Sequence, residues 1–233
     1  MLYSDFRCVA ARAFMITISK EDYLKAIVRA EAEGQAAIPA ALAQGLGVTR
    51  PAVTAALKRL GKDGLLRVTK EGSIRLTDEG RAIAQRTIFR HHLIERMLME
   101  IFDMPWYAVH DEAERLEHAV SPAFEKKLVE KLGSNDICPH GNSYHTLSDA
   151  ERRKRGLCLL NEAQAKKKYR INAVYERDRK LLEFFEQEGI RPGTGLSVQA
   201  RNYDDTITLS IGSETVRLGL PAAARVWVGK FGN

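Results

Sequence analysis

Carboxylates and imidazoles recur in the segment HDEAERLEH, residues 110–118, at a spacing that suits a metal-binding helix. At about 100° per residue, Glu114, Glu117 and His118 fall within one turn on one side of such a helix, and His110 lies one turn earlier. Carboxylates held this closely repel one another, and a divalent cation between them relieves the repulsion. The segment therefore predicts a site for a borderline divalent cation that accepts oxygen and imidazole ligands.

His91 and Glu95 form a second ligand-capable pair, because residues four apart lie on the same helix face. Both pairs belong to a block, residues 91–150, that has 5 Lys and Arg against 11 Asp and Glu. The same block holds all six histidines of the chain: His91, His92, His110, His118, His140 and His145. A solvated acidic helix face with incidental histidines would explain either pair alone, whereas the two pairs together favour a metal site.

The blocks on either side of this acidic segment are basic. Residues 1–90 carry 15 Lys and Arg against 9 Asp and Glu, and residues 151–233 carry 16 against 10, within a net charge of +6. Basic blocks favour a polyanionic partner such as double-stranded DNA, although such charge is also typical of an ordinary solvated surface.

Composition indicates a globular protein of one or two compact units. The 233 residues are 45% hydrophobic, 28% charged and 7% aromatic, which excludes a disordered or collagen-like chain. No apolar run reaches the roughly 18 residues of a membrane span, and we expect a cytoplasmic protein. The three cysteines, Cys8, Cys138 and Cys158, are too widely spaced for a disulfide framework or a CxxC zinc site.

Helices and a hairpin occupy the first third of the chain. A helix is expected from near Ser19 through EDYLKAIVRAEAE, and a short one opens at Pro39. After a tight turn, a further helix starts at Thr49 and ends before Gly64. Apolar and polar residues then alternate on both sides of a turn at residues 70–73, which indicates a β-hairpin. This order predicts a winged helix-turn-helix.

A winged helix-turn-helix places its second helix in the major groove while the wing holds phosphates. The side chains expected to face bases or backbone are Thr49, Arg50, Pro51 and Thr54, and those expected on phosphates are Lys58, Arg59, Lys70 and Arg75. Ala52, Ala55 and Ala56 leave few long polar side chains for base contacts, so shape and apolar contact should contribute to specificity. The alternative is a protein-contact module of the same fold.

Further helices and then strands follow the hairpin. Thr77 should cap a long helix that reaches about Phe102, and shorter helices are expected at 107–119 and 122–132. Residues 133–170 are polar and read as a connection with some helix. A helix at 181–187 and alternating segments with turns at 204–205 and 212–213 then indicate a small antiparallel β-barrel or sheet.

The order of these motifs resembles the diphtheria toxin repressor family of metal-activated transcriptional regulators. The segments that carry the resemblance are EDYLKAI, the helix-turn-helix, the wing, RHHLIERML, VHDEAERLEH and CPHGN. From residue 15 onward it implies a mainly α-helical fold with a β-rich C-terminal part: a winged helix-turn-helix DNA-binding domain at 15–85, a helical metal-binding and dimerisation domain at 86–150, and a linker with an SH3-like, FeoA-like small β-barrel at 151–233. Residues 1–14 have no turn-bounded pattern and are expected to form an extension or disordered arm. The resemblance also implies a homodimeric repressor, not an enzyme, on a palindromic DNA operator.

The resemblance implies two metal sites as well. The primary site couples the first helix to the dimerisation domain, and its ligands would be Asp22, Glu114, Glu117 and His118, with Cys138 through its backbone carbonyl or its sulfur. The ligands of the ancillary site would be His91, Glu95, His110 and Asp178.

Two of these positions favour manganese. Iron-responsive members of the family have methionine where this chain has Asp22 and cysteine where it has Glu114, whereas manganese-responsive members have Asp and Glu. Hard oxygen ligands suit Mn²⁺. Lys25 stands where two-domain manganese members have a glutamate, so a single primary ion is expected. The resemblance thus implies Mn²⁺ as corepressor in the control of metal-ion homeostasis, with an Fe²⁺-responsive repressor as the alternative.

Two other functions fit parts of the pattern. A metallohydrolase could use the same carboxylates and imidazoles with an open coordination position, but no HExxH motif or phosphate-binding loop accompanies them. A regulator whose small C-terminal domain mainly binds another protein would have the same winged helix and the same metal ligands.

Overall fold

The structure is a computed structural model of the 233-residue chain and describes residues 20–69, 72–133 and 137–231. Within these ranges the chain begins with helices, passes through a two-stranded hairpin and more helices, and ends in a six-stranded sheet. The arm expected at residues 1–14 and the phosphate contact expected at Lys70 lie outside the described residues.

Three helices and a hairpin form the expected winged helix-turn-helix. They are α1 (Lys20–Ala32), α2 (Pro39–Leu46), α3 (Arg50–Lys62), β1 (Leu66–Val68) and β2 (Ile74–Leu76). Helix α2 ends at Gly47, whose φ of +65° glycine adopts without strain. The Thr49 hydroxyl then caps α3 by accepting a hydrogen bond from the Ala52 amide. The shared core buries apolar side chains of these elements, among them Leu24, Leu42, Leu60 and Ile74.

The middle of the chain contains the three expected helices. They are α4 (Asp78–Glu100), α5 (Val109–Leu116) and α6 (Pro122–Leu132). Helix α5 is shorter than the expected helix at 107–119, because a turn in which the Ala108 amide donates to the Pro105 carbonyl precedes it. At its other end Glu117 still has helical dihedral angles, φ −57° and ψ −29°, and His118 lies in the turn that follows. Both side chains therefore leave the end of α5 rather than its middle.

The C-terminal part is an antiparallel sheet with short helices. Its elements are α7 (Asp149–Lys154), β3 (Leu157–Leu159), β4 (Lys167–Val174), α8 (Arg179–Gln187), β5 (Gly195–Arg201), β6 (Thr206–Ile211), β7 (Glu214–Gly219), α9 (Leu220–Ala223) and β8 (Val226–Lys230). The six strands lie in the order β3-β8-β4-β5-β6-β7. The sheet is small and SH3-like, but it is open rather than a closed barrel, because β3 and β7 are its edges.

Strands β3 and β4 depart from the expectation that residues 133–170 form a connection with some helix. Strand β3 lies wholly within that segment, and the first residues of β4 fall in it. Lys167 and Lys168 are exposed, whereas Tyr169 and Ile171 are buried, so the alternation of a strand begins only after the lysine run. Three consecutive lysines interrupt the alternation of apolar and polar residues that indicates a strand. The sequence pattern therefore does not predict a strand there.

Each of the three parts has its own buried cluster. The largest cluster packs α8 against the sheet through side chains such as Leu182 and Phe185, and the helical middle has a smaller one around Leu93 and Ile94. Among the described helices, none has both the length and the apolar character needed to span a lipid bilayer.

Candidate metal centres and DNA-binding surface

Asp22, Glu117 and His118 converge from two elements that are far apart in the sequence. Asp22 lies in the first turn of α1, whereas Glu117 and His118 follow the last residue of α5. The Nε2 atom of His118 is 2.9 Å from Asp22 Oδ1 and 3.5 Å from Glu117 Oε1. The other ring nitrogen, Nδ1, is 2.7 Å from Glu21 Oε2. One ligand atom of each of the three lies within 4.8 Å of the others, and we call Asp22, Glu117 and His118 the first centre.

Glu114, the fourth residue expected at this site, is held by two cations of α1. Its Oε2 accepts a hydrogen bond from Lys25 Nζ at 2.8 Å, and its Oε1 accepts one from Arg29 Nη1 at 3.2 Å. Burial alone would raise the pKa of Glu114, but Arg29 and Lys25 hold that pKa well below its usual range. Glu114 is therefore ionised, and it offers a ligand atom within 4.8 Å of those of His91 and Glu117.

His91 connects the first centre to the residues expected at the ancillary site. Its Nδ1 is 2.6 Å from Glu117 Oε2, and its Nε2 is 3.0 Å from both Glu95 Oε1 and His110 Nδ1. Burial lowers the pKa of His91, but the charge of Glu95 and the hydrogen bonds to the two carboxylates outweigh burial and raise the pKa to about 9. The imidazole is thus a cation between two carboxylates in the metal-free chain, and metal binding must displace its proton.

A four-residue group lies beside these residues. One ligand atom from each of His92, Glu95, Cys138 and Glu176 lies within 4.8 Å of the others. Cys138 Sγ donates to Glu176 Oε2 at 3.5 Å, and the first three residues are buried. We call these four residues the second centre. Its imidazole, two carboxylates and thiol are donors that a borderline divalent cation accepts.

Two buried polar atoms of the second centre have no hydrogen-bond partner among the described residues. They are His92 Nδ1 and Glu95 Oε2. The Glu95 carboxylate engages His91 and His110 through its Oε1 alone. Burial lowers the pKa of His92 to about 4, so its ring is neutral near pH 7 and able to act as a ligand. Because an unsatisfied buried polar group is costly, a cation between these atoms would supply the partner that they lack.

Asp178 and Cys138 do not occupy their expected places. Asp178 is exposed and caps α8, where its Oδ1 accepts a hydrogen bond from the Leu181 amide at 3.1 Å. Glu176, which follows β4, lies at this place instead and also groups with His91 and His110. Cys138 belongs to the second centre rather than to the first. The reason is the turn that carries it, which packs on β4 through a hydrogen bond from the Val174 amide to the His140 carbonyl.

Glu21, His92 and Glu176 lie at these centres but are not among the site residues expected from the sequence. A signal existed for two of them, because Glu21 adjoins Asp22 in an acidic first turn and His92 is three residues from Glu95 on one helix face. Glu176 carried no such signal, since its position depends on β4, which the sequence pattern did not indicate.

The exposed face of α3 carries the side chains expected to contact DNA. The exposed residues at its start and along its outer face are Thr49, Arg50, Pro51, Thr54, Lys58 and Arg59. The Thr54 hydroxyl donates to the Arg50 carbonyl at 3.0 Å. Ala52 and Ala55 are exposed as expected, but Ala56 is buried in the core. The outer face thus combines small side chains, which allow a close approach, with flanking cations.

The wing adds a pair of arginines. Arg75 of β2 has a 68% exposed side chain and lies directly opposite Arg67 of β1, which is also exposed. Residues opposite each other on antiparallel strands point to the same face, so the two guanidinium groups extend the positive surface. Arg67 was not among the expected phosphate contacts, although the alternation of the hairpin places it on the face of Arg75.

Family models match three consecutive parts of the chain. The model of the iron dependent repressor N-terminal DNA binding domain matches residues 15–74, and that of the iron dependent repressor metal binding and dimerisation domain matches residues 77–145. The model of the FeoA domain matches residues 158–230. The chain thus has the domain order of these repressors.

Individual relatives match over most of their length. The iron-dependent repressor IdeR of Mycobacterium leprae is 30% identical over 221 residues, which are 90% of this chain and 96% of the relative. The diphtheria toxin repressor of Corynebacterium diphtheriae is 29% identical over 207 residues, 85% of this chain and 91% of the relative.

Solved structures resemble the fold as a whole. A manganese-dependent transcriptional repressor in complex with manganese superposes with a TM-score of 0.80 at 30% identity, over 91% of this chain and 100% of that chain. ScaR with bound Zn²⁺ superposes with a TM-score of 0.75 at 28% identity, over 92% of this chain and 100% of that chain. These proteins are DNA-binding regulators rather than enzymes. The chain belongs to the diphtheria toxin repressor family of metal-dependent transcriptional repressors.

Proposed function

We propose that this protein is a Mn²⁺-activated repressor that binds a palindromic operator as a homodimer and controls manganese homeostasis. The observation that supports the proposal most directly is the first centre. Asp22 belongs to the first helix of the DNA-binding part, whereas Glu117 and His118 belong to the helical middle. A cation held by these three residues ties the DNA-binding part to the helical part.

The first centre is the proposed primary site, with Glu114 beside it. Its donors are carboxylate oxygens and one imidazole, a set that suits Mn²⁺. Bound Mn²⁺ supplies the positive charge that holds these carboxylates together. Asp22 then fixes the start of α1, which packs against α2 and α3 in one core. The position of α3 is thereby coupled to the occupancy of the site.

The second centre, together with His91 and His110, is the proposed ancillary site. Its proposed ligands are Glu95, His91, His110 and Glu176, with the Cys138 sulfur and the His92 ring beside them. Glu176 comes from the C-terminal part, so an ion here joins that part to α4. The two sites share His91, which contacts Glu117 on one side and Glu95 on the other.

The proposed DNA contacts follow from the exposed face of α3 and the wing. The recognition helix enters the major groove with its first residues, Thr49, Arg50, Pro51 and Thr54. The proposed phosphate contacts are Lys58, Arg59, Lys70 and Arg75. In a homodimer the two recognition helices would read successive major grooves about 34 Å apart, which requires a palindromic site.

An Fe²⁺-responsive repressor is the second candidate. The observation that favours it is the Cys138 thiol in the second centre, because sulfur ligands select softer ions than Mn²⁺. A relative with 30% identity is named an iron-dependent repressor, whereas a structural neighbour at the same identity is named a manganese-dependent repressor.

The test is the anisotropy of a labelled promoter fragment from the protein's own locus, titrated at fixed salt with metal-free protein, with Mn²⁺ and with anaerobic Fe²⁺. We expect binding to appear with Mn²⁺ and to vanish after metal removal. Asp22→Ala and Glu117→Ala should abolish the metal dependence, because each removes a ligand of the first centre.

Glu112→Ala is the matched control. Glu112 is an acidic residue of α5, the helix that Glu117 follows, and its carboxylate pairs with Arg115 at the surface. This variant should bind DNA like the unmodified protein. Metal-dependent binding that persists in Asp22→Ala or Glu117→Ala would refute the role of the first centre, and a stronger response to Fe²⁺ than to Mn²⁺ would favour the iron candidate.

A further inference from the structure

Two ion pairs join the end of α1 to the segment that follows β4. Arg29, in the last turn of α1, places its Nη2 3.6 Å from Glu176 Oε1, and Arg177 donates a hydrogen bond to the carboxylate of Glu33, which directly follows the helix. The charges are crossed, because each side contributes one cation and one anion. We call the four residues Arg29, Glu33, Glu176 and Arg177 the α1 clamp. The clamp joins the DNA-binding part directly to the C-terminal part.

Glu176 belongs to both the α1 clamp and the second centre, and its two oxygens face different partners. Oε2 accepts hydrogen bonds from Asn142 Nδ2 at 2.7 Å and from Cys138 Sγ at 3.5 Å. Oε1 is the oxygen nearest to the Arg29 guanidinium. A cation of the second centre that binds Oε2 therefore leaves Oε1 facing α1.

The segment that carries Glu176 and Arg177 is fixed to the C-terminal sheet. The Tyr175 amide donates a hydrogen bond to the Arg225 carbonyl, just before β8, at 2.9 Å. The guanidinium carbons of Arg177 and Arg225 lie 4.9 Å and 4.5 Å from the centre of the Tyr175 ring, within the range of cation–π contacts. Because this segment is attached to the sheet, the α1 clamp passes the position of the sheet on to α1.

Metal in the second centre would stiffen the clamp. Glu176 and Glu95 offer ligand atoms within 4.8 Å of each other, and two carboxylates at this distance repel. An ion shared by them removes the repulsion and fixes Glu176. The Arg29 Nη2 atom is buried and has no hydrogen-bond partner among the described residues, so the Glu176 carboxylate is the group available to it.

The α1 clamp lies at the opposite end of α1 from the first centre. About three helical turns separate Asp22 from Glu33, which is about 16 Å along the axis. A helix that is tied at one end can still turn about that tie, whereas ties at both ends fix its direction. Helix α1 packs in one core with α2 and α3, so the direction of α1 also sets that of the recognition helix.

We propose that the C-terminal part controls the direction of the recognition helix through the α1 clamp, and that an ion in the second centre strengthens this control. The proposal rests on the proposed ancillary site and adds a route from that site to the DNA-binding part that does not use the first centre. The position of α3 then depends on two ties, one at each end of α1.

Hydrogen exchange of the full chain, followed by mass spectrometry with and without Mn²⁺, tests the proposal. Asp22→Ala is the background, because it lacks a ligand of the first centre but retains the second centre and the α1 clamp. Equilibrium dialysis counts the ions that this variant binds. We expect bound Mn²⁺ to slow exchange of the backbone amides of residues 30–35 by about threefold or more, the size of effect that a partly exposed ion-pair network supports.

Charge reversals in this background show whether the ion pairs cause the slowing. Arg177→Glu and Glu33→Arg each place like charges opposite one another, and each should abolish the effect of Mn²⁺ on residues 30–35. The double variant restores an ion pair with its polarity reversed and should recover the effect. Arg217→Glu is the control, because Arg217 pairs with Asp204 within the C-terminal part. It should behave like the background alone.

Three results would overturn the proposal. The first is unchanged exchange at residues 30–35 while Mn²⁺ is bound to Asp22→Ala. The second is a double reversal that does not recover what the single reversals lose. The third is the absence of bound Mn²⁺ in Asp22→Ala, which would remove the second centre as a Mn²⁺ site. The first centre and the repressor function are tested separately, by metal-dependent DNA binding of the unmodified protein.

Discussion

Lys25 Nζ lies 2.5 Å from Glu117 Oε1 in the interior of the protein, although the two residues are 92 positions apart in the sequence. The exposed side-chain fraction is 3% for Lys25 and 0% for Glu117. The pair joins α1 to the end of α5, and these are the same two elements that contribute the ligands of the first centre. The metal-free chain therefore already has buried ionic links between its DNA-binding part and its helical part, and a bound cation adds another.

Replacing Lys25 by methionine should destabilise the metal-free protein strongly. The substitution keeps an unbranched side chain but removes one buried counter-charge from Glu117, which keeps only that of His91, and one from Glu114, which keeps Arg29. Removing one partner of a buried ion pair costs about 3–5 kcal/mol. Urea unfolding of the metal-free protein measures this loss. Added Mn²⁺ should recover more stability in Lys25→Met than in the unmodified protein, because the cation then supplies the missing charge.

Lys20→Met is the control for this experiment. Lys20 lies in the same helix and pairs with Asp63, but its side chain is 63% exposed, and surface ion pairs contribute about 0–1 kcal/mol. A loss in Lys25→Met no larger than that in Lys20→Met would show that the buried pair does not support the fold.

Metal binding at the first centre should release protons near pH 7.5. Hydrogen bonding to Asp22 raises the pKa of His118 to about 9, so its ring is protonated in the metal-free chain at that pH. A ligating imidazole must give up its proton, and the apparent Mn²⁺ affinity should therefore rise as pH increases towards 9. Calorimetric titration in two buffers of different ionisation enthalpy counts the protons. Metal binding to His118→Gln should release about one proton fewer than metal binding to the unmodified protein. Identical proton counts in the two proteins would contradict the role of His118 as a ligand.

The raised pKa of His118 also makes the stability of the metal-free fold depend on pH. The folded pKa of His118, about 9, lies above its ordinary value of 6.5. Its pairing with Asp22 therefore contributes fully below pH 6.5, and this contribution is lost as pH rises through about 9. Thermal unfolding of metal-free protein between pH 6 and 10 should show this decline, and the decline should be smaller in His118→Gln. An equal decline in both proteins would show that groups other than His118 cause the loss of stability.

Local sequence patterns could predict part of this architecture. The i, i+4 pair His91 and Glu95, and the capped start of α3 at Thr49, depend only on neighbouring residues. The link from Lys25 to Glu114 and Glu117 could not be predicted in that way, because it joins helices that approach only in the folded protein. Which acidic residue after β4 lies near the histidines likewise depends on the packing of that strand, so local sequence patterns do not distinguish Glu176 from Asp178.

Lys58 should contribute to DNA affinity through a phosphate rather than through sequence recognition. Its exposed side chain lies on the outer face of α3. Lys58→Ala should weaken binding to the operator and to unrelated DNA by the same factor, and the slope of log K against log salt should fall by about one. Anisotropy titrations at several salt concentrations measure both effects. Lys126→Ala, which removes an exposed lysine of α6, is the charge-matched control, and an equal loss in that variant would contradict a specific phosphate contact.

Gly141 should be essential for the second centre, because its backbone holds the turn that carries Cys138 against β4. Its φ is +83°, and a Cβ atom there would lie 2.0 Å from the Asn172 carbonyl oxygen. Gly141→Ala must therefore push the turn away from the strand. Positive φ alone costs an alanine roughly 1–2 kcal/mol, and displacement of the turn adds to that cost. We expect a lower melting temperature and faster alkylation of the otherwise buried Cys138.

Gly156→Ala separates these two contributions. Gly156 has a similar φ of +79°, but no atom lies within 4 Å of the position that its Cβ would take. Gly156→Ala should therefore lose only the stability that the positive φ costs an alanine, and the rate of alkylation of Cys138 should be unchanged. The Asp22, Glu117 and His118 side chains belong to other elements, so Gly141→Ala should retain Mn²⁺ binding at the first centre while it loses binding at the second. Loss of both sites, or unchanged alkylation of Cys138, would show that the turn and the second centre are not coupled in this way.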